Sequence, residues 1–179
     1  DYLTASTIRS ALGLSGQMAR FNLLREKVSQ GQWTSFSGNQ ATHWGNKCEP
    51  IANALYAYRN QITIYEFGMI TNDKYPILGV SPDGITENKM LEIKCPYTRV
   101  IDGHIKPEYY HQMMEQMTVC EFDCCDFLEC KIIHIKQHEF INNRDHEYEQ
   151  GIIITYFDAN DVCKSAIPPQ YLYSPITTT

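Results

Sequence analysis

Two neighbouring segments hold residue types that could do chemistry: Gly79-Val80-Ser81-Pro82-Asp83-Gly84 and Met90-Leu91-Glu92-Ile93-Lys94-Cys95-Pro96. Side chains alternate faces along a strand, so Glu92 and Lys94 share one face while Leu91, Ile93 and Cys95 share the other. The apolar face is expected in the core and the charged pair at a cleft or in solvent. A two-residue turn at Glu87-Asn88 would set Asp83 directly opposite Glu92, with Cβ atoms about 4.5–5.5 Å apart. Carboxylates that close repel unless one is protonated or a cation lies between them. Oxygen donors favour a hard ion, magnesium or manganese. Lys94 cannot ligate metal while charged, but it can steady a water or a developing negative charge. Taken alone, the pattern fits equally an exposed hairpin with solvated charges.

Other segments add to it. Thr42 to Pro50 leads into a helix and supplies Glu49, although acids are also ordinary at a helix start. Pro107 suits the first turn of a helix running to about Cys120. On that helix Gln112 and Gln116 form a polar stripe beside Met113 and Met117, which are expected in the core. His104 and His111 read as surface or packing residues. No serine–histidine–acid arrangement is present. The seven cysteines include a cluster at Cys120, Cys124, Cys125 and Cys130. Its spacing fits no zinc template, so buried free thiols in a reducing, intracellular compartment are expected.

These residues must be positioned by a chain of 179 residues, long enough for one domain spanning 1–179 with a real core. A net charge of -6 argues against general stickiness toward nucleic acid but allows a local grip, since carboxylates that hold metal add to the negative count. No apolar run is long enough to span a membrane. The start lacks the basic and apolar regions of a signal peptide, so a protein that is not secreted is expected. Thr4-Ala5-Ser6 precedes a short amphipathic helix ended by Gly13. A second helix is expected over Gln17–Val28, a loop over Gly31–Gln40 and a helix over Glu49–Tyr58. Strands are expected at Ile62–Thr71, Ile77–Ile85 and Met90–Cys95, and after the Pro107 helix at Phe127–Ile135 and Ile152–Phe157. A loop should span Asn142–Glu149, and the tail from Pro168 should be irregular. The order suggests an α/β (α+β) fold with a mixed sheet flanked by helices.

Four segments together resemble the YqaJ-type viral recombinase, or phage-lambda-exonuclease-like, branch of the PD-(D/E)XK nucleases. They are Leu3-Thr4-Ala5-Ser6, Trp44-Gly45 through Glu49-Pro50, Ser81-Pro82-Asp83-Gly84 through Pro96, and Tyr109 through Met117. The resemblance implies a restriction-endonuclease-like core and magnesium-dependent DNA cleavage, with manganese able to substitute. It assigns the metals to Asp83, Glu92, the Ile93 carbonyl and Glu49, and the attacking water to Lys94. Gln112 matches the family's active-site glutamine, and Ser6 and Ser81 match serines that contact phosphate. The basic phosphate-binding residue has no secure match; Arg9, Arg20 and Arg25 are candidates. The expected activity is a 5′-to-3′ exonuclease on double-stranded DNA ends, acting with a single-strand annealing protein in recombination or genome processing. A helix N-terminus at Thr4–Ser6 would help hold the terminal phosphate. Some relatives form rings around DNA, so a homo-oligomer is also an expectation. Two alternatives stay open: an endonuclease that also cuts RNA, and an inactive nuclease fold serving as a binding module. The complete Glu49, Asp83, Glu92, Lys94 set argues against the last.

Overall fold

A computed structural model describes residues 2–29, 39–142, 148–156 and 170–176. They fall into two compact units, Asp1–Lys131 and Ile132–Thr179.

The first unit is organised around the hairpin. Strand β4 (Gly84–Ile85) pairs antiparallel with β5 (Met90–Lys94) in the register Gly84↔Leu91 and Ile85↔Met90. Thr86 N–H donates to Lys89 O at 2.8 Å and closes the two-residue turn at Glu87-Asn88 anticipated from the sequence. A Cβ on Gly84 would lie 2.5 Å from Ile64 Cγ2, so no larger residue fits there without a shift. On its other edge β5 pairs in parallel with β6 (Cys125–Glu129), from Met90↔Cys125 to Lys94↔Glu129. A parallel pair needs a crossover, and α4 (Pro107–Cys120) provides it.

The central position of β5 changes the expected burial. Met90, Leu91, Glu92 and Ile93 are all buried. The alternation of core and cleft faces fails because helices cover both faces of a strand in this setting: α3 packs on β5, and α4 sends Gln116 to Glu92. Helix α3 runs from Gln40 to Asn60, beginning nine residues before the expected start at Glu49. Asn39 caps it, its Oδ1 accepting from Thr42 N at 3.0 Å. Pro50 lies in its interior and has no N–H to offer the Asn46 carbonyl. Apolar burial at Trp44, Cys48 and Ala52 repeats every four residues and fixes which face turns inward.

A second small sheet has the order β1-β3-β2. Strand β1 (Leu3–Thr4) runs parallel to β3 (Leu78–Val80), and β2 (Ile70–Thr71) runs antiparallel to it. Ala5 and Val80 join Val119 of α4 in one core cluster. Thr4-Ala5-Ser6 precedes a short helix as expected, the single turn α1 (Ile8–Ala11), although Leu3 and Thr4 themselves form a strand. Gly13, at φ 75°, does end it. Helix α2 (Gln17–Val28) has the expected bounds. The strand expected at Ile62–Thr71 reduces to β2 and an isolated bridge between Tyr65 and Ile85. The one expected at Ile77–Ile85 breaks at Ser81-Pro82-Asp83, where proline cannot donate to a ladder. β6 begins and ends earlier than expected.

The second unit holds α5 (Gln137–Asn142) and the antiparallel pair β7 (Ile153–Tyr156) and β8 (Gln170–Tyr173). Ile152 N–H donates to Ser174 Oγ at 2.8 Å, and Ser174 N–H returns a bond to Ile152 O at 2.9 Å. Within the tail, Gln170–Tyr173 is therefore a paired strand where irregular structure was expected. Most of the loop expected at Asn142–Glu149, and the Gly31–Gln40 loop except its last two residues, lie outside the described residues. No helix among the described residues is long and apolar enough to cross a membrane.

Candidate active site

Breaking the strand at Pro82 frees Asp83 from the ladder and lets its side chain reach across the hairpin. Asp83 Oδ2 accepts from Ile93 N–H at 2.6 Å, so the aspartate sits beside Glu92 as the turn register requires. Glu92 is 0% exposed. Its Oε1 pairs with Lys94 Nζ, and its Oε2 accepts from Gln116 Nε2 at 2.9 Å. Lys94 Nζ also lies 5.3 Å from the centre of the Tyr109 ring. Glu49 projects from α3 toward the same group of charges.

The electrostatics follow from crowding acids in a place with little water. Burial, then the charges of Glu92 and Glu49, push Asp83 up to about 7, against the smaller opposing pull of Lys94 and the Ile93 N–H. Burial also raises Glu49; Lys94 opposes this, while Glu92 and Glu66 add to it. Burial alone would lower Lys94, but the Glu92 and Asp83 carboxylates outweigh it, so the ammonium keeps its proton. A cation placed among these carboxylates would relieve the repulsion that raises Asp83.

A cavity of about 160 Å³ opens between α3 and the hairpin, lined in part by Glu49, Asn53, Glu66, Ser81 and Asp83. The donor set fits a hard divalent ion, since it offers carboxylate and carbonyl oxygens. Among the described residues, no three Asp, Glu, His or Cys side chains already converge on one ion position. The oxygens of Glu92 accept from Lys94 and Gln116, and each keeps a further lone pair that a divalent ion could use. Asp83, Glu49, Glu92 and Ile93 are the residues that would hold it.

The structure thus brings Glu49, Asp83, Glu92, Ile93 and Lys94 together. Gln116, rather than Gln112, is the glutamine bonded to Glu92; Gln112 lies one turn earlier on α4 and is half-buried. Ser81 lines the cavity. Ser6 is exposed, and its Oγ lies 3.2 Å from Thr4 Oγ1. The parallel register Leu3↔Leu78, Thr4↔Gly79 ends at Thr4, where Thr7 N–H turns back to the Thr4 carbonyl at 2.8 Å, so strand pairing does not itself bring Ser6 to Ser81. Thr4–Ser6 leads into α1, which starts at Ile8 after Thr7 Oγ1 donates back to the Thr4 carbonyl at 2.9 Å. Arg20 is exposed on α2. Arg9 donates to Leu14 O at 3.2 Å and lies 3.4 Å from His111 Nδ1.

Asn53 and Glu66 were not anticipated. Asn53 Nδ2 donates to Glu66 Oε1 at 3.0 Å and to the Asp83 carbonyl at 3.3 Å. The signal for Asn53 was its place four residues after Glu49 on one helix. Nothing local marks Glu66. The thiols, all free among the described residues, also group differently from the sequence cluster: Cys95 shares a hydrogen bond with Cys130, with Cys48 nearby. Burial pushes Cys48 up to about 11 and Cys125 up to about 12, so these thiols stay protonated and poorly nucleophilic.

A hairpin flanked by helices in a mixed α/β unit is the arrangement of a restriction-endonuclease-like fold. Residues 1–123 match the YqaJ-like viral recombinase domain, and the chain belongs to that family. It is 32% identical to an uncharacterized protein of Acanthamoeba polyphaga mimivirus, over 98% of this chain and 38% of the mimivirus protein. The chain therefore spans less than half of that relative. Among solved structures it is similar to LHK-Exo in complex with dAMP, with 30% identity, a TM-score of 0.62, and coverage of 72% of this chain and 68% of the other. It is likewise similar to the alkaline exonuclease LHK-Exo from Laribacter hongkongensis, with 31% identity, a TM-score of 0.62, and coverage of 73% and 69%.

Proposed function

We propose that the chain is a magnesium-dependent deoxyribonuclease, with manganese able to substitute, that degrades double-stranded DNA from 5′ ends in recombination or genome processing. The observation that carries the reading is the hairpin that sets Asp83 beside buried Glu92, with Lys94 on the same strand face and Glu49 across the cavity. The match to alkaline exonuclease structures supports DNA ends as the substrate. A single-strand annealing protein, assembly of several copies, and a reducing intracellular compartment complete the proposal. The protonated cysteines suit that compartment.

A bound divalent ion would supply Lewis acidity, lowering the pKa of a water and neutralising the leaving oxygen. The chain's own residues do the rest. Asp83, Glu92 and Glu49 offer the oxygens, and Gln116 fixes the orientation of Glu92 from behind. Lys94, paired with Glu92 on the same strand face, would hold its proton toward the attacking water or the phosphoryl oxygens. Ser81, on the cavity wall, and Ser6 would contact the phosphate next to the scissile one. Titrating magnesium and manganese against a linear duplex, with wild type, Asp83→Asn and Glu92→Gln, tests the reading. Metal-dependent cleavage by wild type and none by either variant is expected. Near-normal cleavage by either variant would remove the site assignment.

A further inference from the structure

We propose that Asn53 is a positioning residue of the active site: it fixes the separation of Glu49 and Asp83, and Glu66 holds its amide in the working orientation. The inference rests on the metal-dependent nuclease reading above. Glu49 and Asp83 come from separate elements and repel each other, so something must hold α3 against the hairpin without consuming the carboxylates. Asn53 is one turn beyond Glu49 on α3, on the same face. It is only 8% exposed. Its amide nitrogen grips the Asp83 main-chain carbonyl, which leaves that residue's side chain to ligate.

Glu66 explains why the grip has one orientation. Asn53 Nδ2 has two partners, the Asp83 carbonyl at 3.3 Å and Glu66 Oε1 at 3.0 Å. Both can only accept, so turning the amide over would set Oδ1 against two oxygens. The segment that carries Glu66 is itself tied to the hairpin. Tyr65 N–H donates to Ile85 O at 2.8 Å, and Ile85 N–H donates to Tyr65 O at 2.9 Å. Helix α3, the 65–66 segment and the hairpin therefore meet at one side chain, on the wall of the cavity that Glu49 and Asp83 share. Magnesium demands near-ideal ligand geometry, so a small drift of α3 from the hairpin weakens its binding.

The test uses metal-free protein titrated with manganese by calorimetry, with melting temperature and cleavage measured alongside. Asn53→Asp keeps the shape but sets an acceptor against two acceptors. Its manganese affinity should fall about tenfold or more, the usual cost of losing a group that orients metal ligands. The titration is made well below the melting temperature, so a purely structural role would leave affinity unchanged and overturn the proposal. If Asn53→Asp does not fold, Asn53→Ala, which leaves the carbonyl merely unbonded, is read the same way. Glu66→Gln keeps an acceptor without the charge and should lose less affinity than Asn53→Asp. An equal or larger loss would mean that Glu66 contacts the ion itself and would overturn its role as the holder of Asn53. Wild type that binds no manganese would overturn the nuclease reading together with this one. Wild type and Asn53→Asp binding equally well would overturn this one alone.

Discussion

Replacing Asp83 by asparagine should stabilise the metal-free protein at high pH while abolishing cleavage. The folded state raises Asp83 from 3.8 to about 7. A group held above its unfolded value contributes stability that is complete below the unfolded pKa and lost as pH rises through the folded one. For Asp83 that window runs from about pH 4 to about pH 7. About three pH units at about 1.4 kcal/mol each give roughly 4 kcal/mol as an upper bound, and relaxation of the site reduces this to about 2 kcal/mol. The asparagine oxygen can keep the bond from Ile93 N–H, so the variant removes charge without removing the contact. Glu115 is buried, both its carboxylate oxygens lack a partner among the described residues, and burial raises it to about 7 as well, so wild type alone cannot isolate Asp83. The informative quantity is the difference between variant and wild type in urea unfolding with a chelator present, at about pH 4.5 and about pH 8. The variant should gain about 2 kcal/mol more over wild type at the higher pH. Equal differences at both pH values would refute the claim that these carboxylates are crowded and starved of water.

Lys94→Ala should lower kcat by about a hundredfold or more with a small change in KM, the mark of a transition-state contact; a large KM change at unchanged kcat would make Lys94 a simple phosphate contact. Gln116→Ala should destabilise the fold by about 1–3 kcal/mol, because Glu92 Oε2 loses its donor in a fully buried place, and thermal melts with cleavage assays in parallel would check this. Gln112→Ala should cost less stability, since no bond from Gln112 reaches Glu92. The double variant Ser6→Ala, Ser81→Ala should narrow the rate difference between 5′-phosphorylated and 5′-hydroxyl duplexes, and an unchanged preference would remove these serines from end recognition.

The hairpin was legible because period-two alternation and a two-residue turn leave one register, and the observed pairing Gly84↔Leu91 follows it. The burial of Glu92 was not legible, because it depends on a parallel partner from residues 125–129 and on Gln116, both far along the chain. Periodicity also could not say which of Gln112 and Gln116, one turn apart on the same helical face, would bond Glu92; the crossover of α4 over β5 puts Gln116 there. The early start of α3 was hidden by its weakly amphipathic first turns and by Pro50, which reads locally as a helix-start residue. Asn53 was visible as a neighbour of Glu49, but its role needs Glu66 and the Asp83 carbonyl, which local patterns do not bring together. Strand β1 escaped notice because two residues carry no period.

The most direct test of the central claim compares an open linear duplex bearing 5′-phosphates with the same duplex closed by hairpins at both ends, each incubated with wild-type protein and magnesium while products are sized over time. Steady release of small products from the 5′-phosphorylated open ends is expected, with no release without magnesium and little attack on the closed molecule. Equal cleavage of both substrates would contradict end-directed degradation, and no cleavage of either with magnesium or manganese would contradict the nuclease assignment itself.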